Sequence, residues 1–177
     1  TQARERLSTV RKDELKQTSY SSFWESKLLL TPKLEATVGV RYDYFDTNVT
    51  SITAVNSGKA KDDLVSFKGS LNYRFTNLVA AYANWGQSFH SNDARGSTIN
   101  IDPVTGEQAE QVDLLVKSEG AEIGVRFADE QKFNLSAALW WLTLDSELLF
   151  VGDAGNTEPS DASKRYGLEI SAYYWIN

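Results

Sequence analysis

Apolar and polar residues alternate with period two along most of the chain, and helical spacing is hard to find in any window long enough to show it. Residues 34 to 45 carry the clearest case. Leu34, Ala36, Val38, Val40, Tyr42 and Tyr44 share one parity, while Glu35, Thr37, Gly39, Arg41 and Asp43 hold the other. In an extended backbone successive side chains point to opposite faces, so this segment presents one apolar and one polar surface. The split recurs in Val65, Phe67, Leu71, Tyr73 and Phe75 against Ser66, Lys68, Ser70, Asn72 and Arg74. It returns in Tyr166, Leu168, Ile170, Ala172, Tyr174 and Ile176 against Arg165, Gly167, Glu169 and Ser171. The pattern predicts an all-β chain with seven strands, at 16–30, 34–46, 64–75, 78–90, 114–128, 132–150 and 164–176. Two of these, 78–90 and 132–150, are apolar on both parities (Leu78-Val79-Ala80-Ala81, Leu139-Trp140-Trp141-Leu142), and their faces stay unassigned.

The connections alternate in length. Thr31-Pro32-Lys33, Thr76-Asn77 and Asp129-Glu130-Gln131 read as tight turns, whereas 47–63, 91–113 and 151–163 read as long loops rich in Gly, Asn, Asp, Ser and Thr. An antiparallel up-and-down meander places all tight turns at one edge and all long loops at the other, which is the sequence pattern of a transmembrane β-barrel of the outer-membrane type. The 21 aromatic residues all fall within or at the border of a proposed strand. Phe75, Phe127, Phe133 and Trp175 cluster beside the tight turns, and Tyr20, Tyr44, Phe89, Phe150 and Tyr166 toward the long loops, as two interfacial girdles require. Pro32, Pro103 and Pro159 all lie in connections, where none removes a ladder hydrogen bond. Seven strands do not close a barrel, and residues 1–15, with Arg4, Arg6, Arg11 and Lys12, are too polar to supply an eighth. Residues 1–177 are therefore expected to form part of a larger barrel wall.

Composition narrows the function classes. The chain is 41% hydrophobic and rich in aromatics, so it is not a disordered segment. Its formal charge is −6 and its 18 basic residues are scattered, which argues against nucleic acid as a partner. No apolar run reaches the length of a membrane helix, but a spanning strand needs only about 9–11 residues with one apolar face. With no cysteine, disulfides, thiolate metal sites and cysteine nucleophiles are excluded. The N-terminus carries no charged stretch followed by an apolar one, as a secretory leader would, so a mature product or excised fragment is expected.

Few residues suggest chemistry. His90, the sole histidine, lies in Phe89-His90-Ser91-Asn92-Asp93-Ala94-Arg95-Gly96, where a strand runs into the longest loop. Neighbours on an extended segment point apart, so His90, Ser91 and Asp93 make a poor triad and a better loop-anchoring cluster. One histidine without cysteine leaves only scattered carboxylates for a metal, and Asp153, Asn156, Glu158 and Asp161 lack the spacing of a calcium loop. Asp102-Pro103-Val104-Thr105-Gly106 reads as a turn. No phosphate-cradling glycine motif is present, and neither an enzyme nor a cofactor is expected. More informative is a set of polar residues of both signs on the face opposite the apolar one. Glu35, Arg41, Asp43, Lys68, Arg74, Glu122, Arg126, Arg165 and Glu169 would all project into one lumen.

These stretches also resemble a known family. Leu34–Tyr44 is similar to a strand ending in G-x-R-Y-D. Tyr82-Ala83-Asn84-Trp85-Gly86-Gln87-Ser88-Phe89 is similar to a Y-A-N-x-(G/S)-x-x-F strand, Gly120–Arg126 to an E-x-G-x-(K/R) strand, and Tyr166–Ser171 to a G-x-E-(L/I) strand. In this order and spacing they resemble the barrel of TonB-dependent outer-membrane receptors. The resemblance implies a 22-stranded barrel in the outer membrane of a Gram-negative bacterium, surrounded by lipid. It also implies an N-terminal plug and C-terminal strands lying outside these residues, and energy supplied by the TonB complex through that plug. Such receptors import scarce solutes such as ferric siderophores, haem, cobalamin or oligosaccharides, binding them with plug apices and extracellular loops. His90, Asn92, Asp93 and Arg95 are the corresponding ligand-side candidates here. Two other readings stay open: a soluble β-sandwich binding or adhesion module, and a small outer-membrane pore or enzyme.

Overall fold

The computed structural model describes residues 12–129, 132–151 and 156–176. Among them are the strands β1 (Asp13–Thr31), β2 (Leu34–Ser51), β3 (Gly58–Arg74), β4 (Val79–Ser91), β5 (Leu115–Asp129), β6 (Phe133–Leu144), β7 (Glu147–Val151), β8 (Asn156–Ser160) and β9 (Ser163–Tyr174). Seven of them form one sheet in the order β1-β2-β3-β4-β5-β6-β9, and β7 pairs with β8 as a separate hairpin. The order is that of the meander, with β9 taking the place of the seventh predicted strand. Apart from that hairpin the described residues form no further sheet, so the two multi-stranded layers of a sandwich are not present among them.

Register decides which residues share a face. Ile123 pairs with Leu139 and Leu139 with Leu168, while Val125 pairs with Ala137 and Ala137 with Ile170. Ile123, Leu139 and Leu168 are each more than half exposed, and Val65, Phe67, Val125, Ile170 and Tyr174 also lie open on the outside of their strands. Rows of exposed aliphatic side chains are costly in water and suited to lipid. On the opposite parity Glu122 pairs with Trp140 and Trp140 with Gly167, Arg126 with Ser136, and Ala138 with Glu169. The ladder therefore resolves the two strands whose faces the sequence left open: Trp140 belongs with Glu122, Arg126, Arg165 and Glu169, and Trp141 with the apolar rows. In β4, Tyr82 faces with Asn72 and Arg74 faces with Ala80.

The structure corrects three expectations. The segment 47–63 is mostly strand, because β2 continues to Ser51 and β3 begins at Gly58, leaving a short link with one turn of 3-10 helix at Ala54–Asn56. Polar residues hid these extensions, but their backbone groups are satisfied by the neighbouring strand all the same. The strand predicted over 132–150 is interrupted after Leu144: Asp145 N–H still donates to Lys117 O (3.0 Å) in register with β5, and the chain then resumes as β7, which pairs with β8 and not with the main sheet. The loop predicted over 151–163 contains β8. Asp153 lies outside the described residues.

Two of the predicted tight turns are closed by the same device, while Glu130 and Gln131 of the third lie outside the described residues. Thr31 Oγ1 accepts from Lys33 N–H (3.2 Å) and Leu34 N–H (3.0 Å), and Thr76 Oγ1 accepts from Leu78 N–H and Val79 N–H, both at 3.1 Å. A threonine hydroxyl satisfies the amides that a reversing chain leaves unpaired. Adjacent turns are tied by Lys33 Nζ to Phe75 O and Arg74 Nη2 to Pro32 O, both 3.3 Å, so Arg74 acts at this edge of the sheet.

The chain divides into two compact units. One comprises Ser21–Tyr42, Val65–His90 and Val116–Asn177, the other the chain up to Tyr20, Asp43–Leu64 and Ser91–Leu115. In the first, two glycines make room for long side chains from the next strand. Lys68 crosses Gly39 to reach Glu25, and a Cβ at Gly39 would lie 2.8 Å from Lys68 Cε. A Cβ at Gly124 would lie 2.5 Å from Tyr82 Cζ, where the phenol hydrogen-bonds Glu122 and sits under the Arg126 guanidinium. Gly124→Val should therefore displace Tyr82 and cost about 1–3 kcal/mol. Gly69→Val, at a position with nothing within 4 Å, should cost less, and urea unfolding in detergent would compare the two.

Candidate functional site

The second unit is built around the long connection 92–114, which is held by a polar framework. Asn56 is buried, and its amide bonds the connection on both sides: Nδ2 donates to Ile101 O (2.8 Å), while Oδ1 accepts from Asn100 N–H (2.8 Å) and Ile101 N–H (3.0 Å). Thr98 Oγ1 donates to Asn56 O (3.0 Å), and Asn100 Nδ2 to Val55 O (2.6 Å). At the other end Asn92 N–H donates to Leu114 O and its Nδ2 to Asp113 O (2.7 Å), while Leu115 N–H donates to Asp62 Oδ2 (3.0 Å). Val49, Ala94 and Leu114 form a small buried cluster with Phe45 packed on it. The turn predicted at Asp102–Gly106 is present, with Gly106 N–H donating to Asp102 O (2.9 Å) and Gly106 at φ +76°, a left-handed conformation suited to glycine.

The four ligand-side candidates fall in different places. His90 ends the first unit's share of β4, and Asn92, Asp93 and Arg95 belong to the second. Asn92 is buried and committed to the connection's backbone. Asp93 and Arg95 form a forked ion pair, with Arg95 Nε 2.9 Å from Oδ1 and Nη2 bonded to Oδ2. The hydrogen bond from Asp93 holds the guanidinium pKa above its ordinary value, burial opposes this, and the charges of Asp93 and Asp13 add to it. Asn56 was not foreseen from the sequence. Its only local signal is an asparagine ahead of a serine and glycine, which reads as an ordinary turn.

The polar face of the first unit holds the other predicted set. Lys27 Nζ lies 2.9 Å from Glu35 Oε1, and Lys68 is paired with Glu25. Glu122 and Arg126 meet on Tyr82. Arg165 and Glu169 lie two pleats apart on β9, on the face shared with Trp140. Asp43, in the second unit, is almost wholly buried. Glu25, Lys27 and Tyr82 join this set from strands whose polar faces were not read from the sequence. A groove of about 470 Å³ opens beside Lys68, between Phe23, Glu25, Gly39, Arg41, Ser66 and Ser88. Among the described residues no three histidine or carboxylate side chains converge as a metal site would require.

A family model described as TonB dependent receptor-like, beta-barrel matches residues 3–177. The chain is 28% identical over 144 residues to the ferrichrome outer membrane transporter/phage receptor of Escherichia coli K12, covering 79% of this chain and 18% of that protein. Among solved structures it is similar to the alcaligin outer-membrane receptor FauA of Bordetella pertussis, with a TM-score of 0.65 and 18% identity, over 93% of this chain and 28% of that one. The copper transporter OprC gives a TM-score of 0.73 at 15% identity, over 93% and 26%. The chain thus spans less than a third of each of these relatives. With a match that covers nearly its whole length, and with a meander whose one face is apolar and exposed, the chain belongs to the TonB-dependent receptor β-barrel family, a family of receptors and not of enzymes.

Proposed function

We propose that this chain is a section of the barrel wall of an outer-membrane receptor that binds a scarce solute, such as a ferric siderophore, haem or cobalamin, and imports it with energy from the TonB complex. The observation that carries the reading is the division of one sheet into exposed apolar rows, Ile123-Leu139-Leu168 and Val125-Ala137-Ile170, and an opposite face of paired charges. Lipid of the outer membrane meets the first, and the second faces a lumen. The unpaired sides of β1 and β9 are continued by further strands, since open edges in lipid leave backbone groups unsatisfied. A plug domain elsewhere in the receptor makes the contact with TonB. The named activities of the relatives, transport of ferrichrome and copper and recognition of alcaligin, support a metal or a metal chelate as the solute class.

On the ligand side, Asp93 and Arg95 are the candidate contacts carried by the 92–114 connection, His90 is a separate candidate at the end of the first unit's share of β4, and Asn92 acts by holding the 92–114 backbone in place. Removing the protein that carries this chain from its host should reduce accumulation of one labelled metal chelate to the level seen when the proton gradient is collapsed. Unchanged uptake of iron chelates, copper, haem and cobalamin would sink the proposal. Fractionation gives a second check, because the protein should sediment with outer membranes and resist alkaline extraction.

A further inference from the structure

We infer that a notch in the apolar face of the sheet holds one acyl chain of a membrane lipid whose phosphate sits at Lys164. The inference rests on the reading of that face as lipid-facing. The notch measures about 350 Å³ and is lined on its open side by Ala81, Ile123, Val125, Ala137, Leu139 and Leu168. Ile123, Leu139 and Leu168 form one row of the apolar face, and Ala137 is the small residue of the next, between Val125 and Ile170. Ala81 faces the same way, paired with Tyr73. On the inner side the Tyr82 ring closes over Gly124, where a Cβ would lie 2.5 Å from Cζ, so the notch has a floor. Its aliphatic walls offer a guest no hydrogen bond. Water does not fill a space of this kind, and an empty one forfeits dispersion contacts, so the hydrocarbon beside it enters.

The same face changes character towards the long connections. One row above Leu139 and Leu168, Ala121 pairs with Trp141 and Trp141 with Tyr166. Trp85 lies at this end too, its indole N–H donating to Glu119 Oε1 at 2.8 Å, and all three aromatic side chains are exposed. Outward tryptophan and tyrosine mark the border between hydrocarbon and headgroups. The next row reads Glu119, Thr143 and Lys164. Lys164 is four residues from Leu168 and six from Ile170 along β9. At about 3.3 Å per residue and a strand tilt of about 40°, that is about 10–15 Å of depth. The hydrocarbon of one leaflet is about 15 Å thick, so a chain anchored at Lys164 runs into the notch. Charges at the upper level select the headgroup. Glu119 is engaged by Trp85, and Asp145, diagonal to Lys164, stands opposite Lys117. Lys164 forms no ion pair among the described residues, and Thr143 beside it carries a hydroxyl. An ammonium and a hydroxyl side by side can both donate to phosphate oxygens. Only a lipid reaches both levels at once, which a free phosphate compound does not.

Native mass spectrometry of the full-length protein in detergent tests the site with two dimyristoyl lipids, phosphatidylglycerol and a galactosyl diacylglycerol that lacks phosphate. One lipid molecule should stay bound under collisional activation that strips the others. Phosphatidylglycerol should be favoured by about fivefold, the effect of one ion pair close to water. Ala137→Phe fills the notch and should bring retention of both lipids down to that of the loosely bound ones. Ala172→Phe, on the same face but paired with Leu135 outside the notch, should leave retention unchanged. Ala81→Phe fills the notch from β4 and replaces Ala137→Phe if that variant does not assemble. Lys164→Gln should abolish the preference for phosphatidylglycerol while one lipid is still retained. Retention that survives filling of the notch, equal retention of the two lipids by the unaltered protein, or a receptor dimer that Ala137→Phe breaks would each overturn the assignment. Recovery of the unaltered protein away from the outer-membrane fraction would overturn the lipid-facing reading itself. In a protein that does reach that membrane, the three outcomes above overturn the lipid site alone.

Discussion

Arginine placed at position 137 should prevent stable assembly of the sheet in membranes, whereas the same substitution one residue on should be tolerated. Ala137 lies in the row between Val125 and Ile170, and Ala138 lies on the other face, between Gly124 and Glu169. The two substitutions are chemically identical and occupy adjacent positions in β6. A strand turns successive side chains to opposite faces, so Ala137→Arg sends a guanidinium into lipid and Ala138→Arg sends it towards the Glu169 carboxylate. The cost of arginine near the middle of the lipid face of a barrel is about 2–4 kcal/mol. That is a large share of the few kcal/mol by which folded proteins are commonly stable. The fraction of protein that resists urea and keeps its compact electrophoretic mobility before heating would report the difference. Equal behaviour of the two variants would mean that the apolar rows do not face lipid.

Asn56→Ala should release the 92–114 connection and little else. The substitution removes three hydrogen bonds and strands Asn100 N–H, Ile101 N–H and Ile101 O in a region where Asn56 itself is 6% exposed. Unsatisfied buried groups cost about 1–3 kcal/mol each, and partial hydration after loosening lowers the sum, so a local loss of about 3 kcal/mol is expected. Arg95 is the only lysine or arginine between Ser91 and Leu115, which makes trypsin a clean probe of this segment. When opening is fast relative to cleavage, proteolysis follows the open population, and about 3 kcal/mol raises it by about a hundredfold. Asn56→Asp keeps the two accepted bonds, loses the donation to Ile101 O and should fall between the two. If cleavage after Arg95 is unaltered in both variants, the framework does not hold the connection. Loosening should also weaken solute capture, because the ligand-side positions Asp93 and Arg95 are carried on this backbone.

The tight turns at 31–33 and 76–77, the number of strands in the main sheet and the chemistry of most faces are legible in the amino-acid sequence, since each depends on residues close together in the chain. Thr31 and Thr76 cap the turns they precede, and alternation alone separates Val38 and Tyr42 from Gly39 and Arg41. The family resemblance carries the same information in motif form. Where both parities are apolar, as at Trp140-Trp141, alternation is silent and only the ladder with Glu122 and Gly167 chooses a side. The ligand-side reading fares differently. Sequence proximity groups His90, Asn92, Asp93 and Arg95, but the structure commits Asn92 to Asp113 O and pairs Arg95 with Asp93.

By itself, then, the sequence determined an all-β meander with a lipid-suited face and a charged one, because period-two alternation and turn chemistry are local properties of an extended chain. Tertiary structure alone decided the reach of β2 and β3 beyond the apolar pattern, the break after Leu144 and the pairing of β7 with β8. It also decided the clamp of Asn56 on residues 98–101 and the passage of Lys68 across Gly39 to Glu25. Apart from the local β7–β8 hairpin, these join residues far apart in the chain, and hydrogen bonds and ion pairs at such separations depend on which strands become neighbours. Periodicity states which way a side chain points, and only the fold supplies what it meets there.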